Sequence, residues 1–260
     1  MPAFQLAAMT FAIGGLLGVA SWLFRPQAVR ALRQSLPVWL LGVGGLFGYH
    51  ALYFLALRLA PPAEAQLFNY LWPILIVLFS AFLPGERLKP HHLVGVLLGL
   101  TGTLVLIAGM RRVEIRAEYI AGYLAALGAA LAWASYSVLS RPFKDVPSDA
   151  VAGFCLMTAL LAGLCHMSFE PTVWPETVTQ WSALILLGLG PVGAAFYAWD
   201  RGMKHGDIRA LGAASYAAPL LSTIFLVAAG FAEASVSLAL AAVLIASGGF
   251  VAARDLFRHR

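Results

Sequence analysis

The sequence predicts an all-α polytopic membrane protein, a 5+5 inverted-repeat bundle with nine spans visible and the first helix of the first repeat absent. Three observations predict it. The 260 residues are 61% hydrophobic and only 11% charged, with a mean hydropathy of +0.83, whereas a soluble domain carries about 25% charged residues. The apolar residues come in blocks of about 20, the number that crosses roughly 30 Å of hydrocarbon at 1.5 Å per helical residue. Finally, the second half of the chain repeats the first.

Taken in order, the apolar runs predict helices near 5–24, 36–57, 63–83, 91–110, 119–140, 149–168, 178–199, 208–231 and 235–253. The connections are short, and none is long enough to fold into a soluble domain. The first block is no cleavable signal peptide, because it lacks a basic leader and runs into Arg25, Arg30 and Arg33. Alternate threading puts Arg58, Arg111, Arg112 and Arg116 on one side of the bilayer and the remaining 13 of the 17 basic residues on the other. Basic flanks stay cytoplasmic, so the C-terminus is expected in the cytoplasm and Met1 outside. The net charge of +5 is therefore a topology signal, and nucleic acid is not an expected partner.

Sliding the chain against itself gives a match at an offset of 146 residues. Leu41-Gly42-Val43-Gly44 lies over Leu187-Gly188-Leu189-Gly190, Arg58 over Lys204, Asn69-Tyr70 over Ser215-Tyr216, and Pro73 over Pro219. One inserted residue later, Glu86 falls on Glu233 and Gly102 on Gly249. Corresponding spans run in opposite directions, which is the signature of secondary transporters. Helix 149–168 maps onto 3–22, but helix 119–140 maps onto positions before Met1. The expectation is ten spans in the native protein, with about 25–30 further residues upstream. The alternatives are a nine-span protein or a helix supplied by another chain.

These features resemble the EamA branch of the drug/metabolite transporter superfamily. The resemblance rests on the paired repeats, the Pro-centred helix 63–83 followed by Leu83-Pro84-Gly85-Glu86-Arg87, and the glycines Gly95, Gly99 and Gly102. Asn69-Tyr70-Leu71-Trp72-Pro73 is similar to a narrower set, the aromatic amino acid exporters of that family. The resemblance implies a multi-pass inner-membrane exporter of amino acids and other small organic molecules, with 1–110 and 111–260 as its two repeats. The second repeat keeps Tyr216 and Pro219 but not the Asn or Trp.

No HExxH, Walker or Gly-x-Ser-x-Gly pattern occurs, and the spans bring no catalytic pair to one depth. No enzyme, metal site or cofactor is expected. His91-His92 read as solvated residues at a helix start, and Asp200-Arg201 as a solvated ion pair at a span end. The two cysteines, Cys155 and Cys165, imply no disulfide framework.

Polar and amphipathic residues inside spans must face protein or water rather than lipid. Tyr49 and Tyr53 lie one turn apart, with His50 adjoining. Gln66, Asn69, Tyr70 and Pro73 follow the i, i+3, i+4, i+7 rule and make one stripe. Trp133 lies on a stripe with Tyr136, Ser137 and Ser140. The offset adds Trp199, over Tyr53, and Tyr216, over Tyr70. The expected substrate-binding set is Tyr49, His50, Tyr53, Asn69, Tyr70, Trp133, Trp199 and Tyr216, converging on one central cavity. For His50 the other reading is a neutral core histidine bonded to a neighbouring carbonyl. Trp72 points away from the Tyr70 stripe, towards a packing role. Trp22, Trp39, Trp174 and Trp181 read as interfacial belt. Pro73 and Pro219 fall mid-span, either as hinges of alternating access or as packing kinks.

The sum is a secondary transporter of amphipathic small molecules, with aromatic or apolar amino acids and organic cations as substrates. Its partners are that substrate and the lipid bilayer, with a monomer as the default state. A non-saturating channel or facilitator pore is the alternative.

Overall fold

A computed structural model describes residues 1–85, 87–110, 114–231 and 233–255. Glu86 of the family motif and Arg111, Arg112, Arg258 and Arg260 of the charge pattern lie outside the described residues. The described residues are predominantly helical, with no strand among them. The helices are α1 Ala3–Ser21, α2 Leu36–Leu59, α3 Pro62–Asn69, α4 Trp72–Ser80, α5 Pro90–Met110, α6 Ile120–Leu139, α7 Val151–Phe169, α8 Val178–Leu189, α9 Ala195–His205, α10 Ile208–Ala214, α11 Ala217–Ala228 and α12 Val236–Ala252. Eight segments are long and apolar enough to cross a membrane, because α3 with α4, α8 with α9, and α10 with α11 each make one crossing. The ninth apolar helix, α12, has 17 residues, at the short end of what a bilayer needs.

The chain forms two compact units, Met1–Phe54 with Leu139–Gly206 and Leu55–Val138 with Asp207–Arg260. In the first, α1 packs on α7. A Cβ on Gly15 would lie 2.6 Å from the Leu156 side chain, and one on Gly18 would lie 2.7 Å from Ala152. As the number rises along α1 it falls along α7, so the two helices are antiparallel. In the second unit α5 packs on α12 in the same sense. A Cβ on Gly95 would lie 2.6 Å from the Gly248 carbonyl oxygen, and one on Gly102 would lie 2.8 Å from Ile245. In each unit the partners are the helices that the sequence offset relates. Lipid tails are as apolar as leucine, so such contacts gain through dispersion at close approach rather than through water release. That is why glycine occupies them.

Helix ends are closed by named side chains. Thr177 and Gln180 form a reciprocal capping box at α8, and the Ser235 hydroxyl accepts from Leu238 N–H at α12. Asp207 accepts from the Arg209 and Ala210 amides at α10 (3.0 and 3.1 Å). Burial opposes its ionisation, but those amides and the Arg209 guanidinium outweigh burial and hold the carboxyl below the usual range. Pro2, at the start of α1, has no capping side chain. The cap comes from 165 residues away, where the Glu170 carboxylate accepts from Phe4 and Gln5 N–H, both at 3.1 Å. His166 Nδ1 lies 3.1 Å from the same carboxylate, and Gln5 Oε1 accepts from Val173 N–H at 2.9 Å. The segment after α7 is thereby fastened to the start of α1.

Asp200 corrects the expectation of a solvated pair with Arg201. Its side chain is 1% exposed and pairs with Lys204, 3% exposed, at 2.8 Å, one helical turn on. Ser148 Oγ donates to the same carboxylate oxygen at 2.6 Å, and Lys204 Nζ donates to the Val146 carbonyl at 3.0 Å. Arg141 Nη1 donates to the carbonyls of Met203, Lys204 and Gly206 at the C-terminal end of α9, at 3.1, 3.0 and 2.7 Å. These bonds pin the 141–148 loop to α9.

Two stability predictions follow from the first unit. Burial pushes the Glu170 carboxyl up, but the hydrogen bonds from Phe4 N–H, His166 and Gln5 N–H outweigh it and leave it below the ordinary range. The cap's contribution is therefore complete above the ordinary carboxylate range and is lost as pH falls through the lowered folded value. Glu170→Gln is expected to cost about 1 kcal/mol at neutral pH, and its thermal unfolding in detergent should lose the parent's acid-side slope. Asp200→Ala, which strands the Lys204 ammonium, is expected to cost about 3–5 kcal/mol, with Asp200→Ala/Lys204→Met recovering most of it in the same assay.

Candidate functional site

Proline dictates the shape of the second unit's two broken helices. Pro73 lacks the N–H that would bond the Asn69 carbonyl, and Pro219 does the same to Ser215. The breaks lie just before each proline, at Tyr70-Leu71 between α3 and α4 and at Ser215-Tyr216 between α10 and α11. Shorter-range bonds tighten both turns: Leu71 N–H donates to the Phe68 carbonyl at 3.2 Å, and Ala218 N–H to the Ser215 carbonyl at 3.1 Å. The breaks are joined directly, because the Tyr216 hydroxyl donates to the Tyr70 carbonyl at 3.0 Å and lies against the Ile74 N–H. One phenol thus stands where a regular helix would place its own 70-to-74 bond.

Tyr216 is 0% exposed, in a core with Val77, Val96, Leu220 and Ile245. A Cβ on Gly99 would lie 2.5 Å from its ring. The expectation that Tyr216 lines an accessible cavity is corrected to a structural role at the two breaks. Asn69 is also enclosed, at 2% exposure. Tyr70 is half-buried, and its hydroxyl hydrogen-bonds the Gln66 side chain, as the predicted stripe requires. Trp133, 7% exposed, meets the Trp72 ring edge-on at 6.4 Å and lies 5.4 Å from the Tyr136 ring. This gives Trp72 its expected packing role.

The first unit holds the other aromatic set. Tyr49 and Tyr53 stack with ring planes 2° apart and centroids at 5.9 Å. His50 lies nearly perpendicular to Tyr49 at 5.0 Å and to Phe11 at 4.8 Å, with Phe196 at 6.2 Å. Phe11 and Phe196 stack at 5.6 Å. His50 Nδ1 lies 2.8 Å from the Leu46 carbonyl oxygen. A carbonyl only accepts, so Nδ1 carries a proton and donates. His50 is thus a carbonyl-bonded histidine with aromatic rings around it. Tyr49, His50, Tyr53 and Trp199 all remain partly accessible.

His91 and His92 are not solvated as expected. They are 6% and 0% exposed, with their Nε2 atoms 3.3 and 3.8 Å from Asp255 Oδ2. The three groups are close enough to hold a metal ion, and Asp255 is engaged by a lysine. Lys89 Nζ donates to Asp255 at 2.6 Å. Its backbone N–H donates to His92 Nδ1 at 3.1 Å, which places the neutral ring's proton on Nε2, facing the carboxylate. The Lys89 ammonium holds the Asp255 carboxyl below the usual range. The cluster is an ion latch between the start of α5 and the residues after α12.

Residues 1–108 and 120–255 both match the EamA-like transporter family. The chain belongs to that family. Among EamA relatives and other similar proteins, the aromatic amino acid exporter YddG of Ancylobacter novellus is 58% identical over 253 residues, covering 97% of this chain and 88% of the relative. The pseudopaline exporter CntI of Pseudomonas aeruginosa is 27% identical over 191 residues, covering 73% of this chain and 64% of its own. A solved crystal structure, also 58% identical, matches with a TM-score of 0.94 over 97% of this chain and 87% of that one.

Hydroxyl and ring of Tyr216 are separable. In Tyr216→Phe the Tyr70 carbonyl and Ile74 amide regain each other as partners, so unfolding should shift by no more than about 1 kcal/mol. Tyr216→Ala empties the space against Gly99 and should cost about 3–5 kcal/mol. Thermal unfolding of both variants beside the parent checks the difference.

Proposed function

We propose that this EamA protein is a secondary transporter that exports aromatic amino acids, and related amphipathic metabolites and organic cations, by alternating access. The observation that carries the proposal is the stacked Tyr49–Tyr53 pair with His50 at its edge, accessible on a helix long enough to cross a bilayer. Aromatic side chains bind indole and phenyl rings by stacking or edge-on contact, and their faces attract cations. The 58% identity to an exporter of aromatic amino acids favours that substrate class.

In this reading Tyr49, His50, Tyr53, Tyr70, Trp133 and Trp199 are the substrate-contacting groups. Asn69 and Tyr216 shape the breaks at Pro73 and Pro219, which act as the hinges. Residues 1–110 and 111–260 are two repeats inserted in opposite senses, a reading supported by the antiparallel packing of α1 on α7 and of α5 on α12. The protein resides in the inner membrane with a cytoplasmic C-terminus, and it is not an enzyme. Asp200 is neutralised by Lys204 within one turn, so proton antiport through that carboxylate is disfavoured and substrate follows its own gradient.

Uptake of tryptophan, phenylalanine and threonine into proteoliposomes tests the proposal. Flux should saturate, be stimulated by substrate on the far side, favour the aromatic pair over threonine, and fall at least tenfold in Tyr49→Ala and Tyr53→Ala, the size of one lost ring contact of about 1.4 kcal/mol. Unchanged flux in both variants and in Tyr70→Ala removes the site assignment. Linear flux without stimulation means a pore.

A further inference from the structure

We infer that the first unit carries a binding site for the phosphate headgroup of an anionic phospholipid, formed by Arg25, Lys144 and Arg201. A pocket of about 430 Å³ lies between the residues that follow α1, the loop around 144–149 and the last turns of α9. Three cations, Arg25, Lys144 and Arg201, and one carboxylate, Asp149, line it, so two positive charges stay uncompensated before His205 is counted. Lys144, Arg201 and His205 are exposed to the pocket rather than sheathed by neighbours. A second pocket, of about 410 Å³, shares Arg25 and Asp149 with the first and adds Arg30.

The walls are set before any ligand arrives. Asp149 Oδ1 and Ser21 Oγ each hold the Arg25 guanidinium at 2.9 Å. The opposite wall is fixed by Lys204 on the Val146 carbonyl and by Ser148 on Asp200. Arg141 covers the carbonyls at the C-terminal end of α9, the negative pole of that helix. A guanidinium and an ammonium on prearranged walls suit a phosphate monoanion.

The apolar neighbours decide between a lipid and a free phosphate. Leu23 and Phe24 lie between the end of α1 and Arg25, and they are 81% and 87% exposed. Free phosphate would use the cations and leave these two side chains uncovered. A phospholipid uses both, with its headgroup on the cations and an acyl chain along Leu23 and Phe24. Basic pockets at the ends of transmembrane helices take anionic headgroups on these terms.

Native mass spectrometry of the full chain in detergent tests the site, with dioleoyl phosphatidylglycerol, dioleoyl phosphatidylcholine and inorganic phosphate as three separate additions. Phosphatidylglycerol should be retained as a bound adduct, weakened about fivefold by each of Lys144→Gln and Arg201→Gln, and unaffected by Arg116→Gln in the other unit. Equal retention of phosphatidylcholine, or parental phosphatidylglycerol binding in the Lys144→Gln/Arg201→Gln variant, overturns the inference. So does inorganic phosphate that displaces the lipid at equal concentration, since the anion alone would then account for binding. Transport activity does not enter the readout, so failure here leaves the exporter proposal standing.

Discussion

Hydrocarbon offers no hydrogen-bond partner, and the rest of this structure depends on that constraint. A backbone group left bare in lipid costs several kcal/mol, so each interruption of a helix has to be closed by the protein itself. The closures are specific and come from afar. The Tyr216 hydroxyl enters the break at Tyr70, Glu170 caps the start of α1, and Arg141 covers carbonyls at the end of α9. A proline in mid-span is tolerable on these terms only because another element has been brought to it. The breaks and the packing around them are one design problem.

The solution at Tyr216 has a consequence for motion. Its hydroxyl belongs to one broken helix and its acceptor to the other, so neither break can straighten without releasing the partner. Gly99 leaves room for the ring, and the surrounding core leaves little room for anything else. Two prolines at equivalent sequence positions therefore give two breaks held in one state through a single bond.

The spans were legible in the sequence because hydrocarbon thickness imposes a length that apolar runs must meet. The Tyr49–Tyr53 stack, the packing role of Trp72 and the breaks at Pro73 and Pro219 were legible for equally local reasons, helical periodicity and a missing donor. Tyr216 was not. In a membrane protein the core and an aromatic cavity draw on the same side chains, and periodicity assigns a face without saying what covers it. Asp200 and Lys204 illustrate the opposite difficulty. Charges near a span end look solvated, and only the loop carrying Ser148 and Val146, folded over them, makes the pair buried. His91 and His92 look solvated for the same reason, since Asp255, which their rings approach, lies 163 residues beyond His92.

The contrast between the charges of the first unit shows why burial and compensation have to be read together. Asp200 and Lys204 are almost fully enclosed, and each has the other at 2.8 Å. Separating them would leave a bare charge in a low dielectric, so the pair is an obligatory structural unit with nothing to offer a ligand. Lys144 and Arg201 stand at the other limit, exposed and facing a cavity whose single carboxylate already engages Arg25. Their charges cost nothing in solvation as they stand, and they remain available to an anion. Asp200 and Arg201 are neighbours in sequence, yet the turn of the helix points one into a closed ion pair and the other into an open basic pocket. A charge count over that dipeptide gives zero, while the geometry gives one neutralised anion and one available cation.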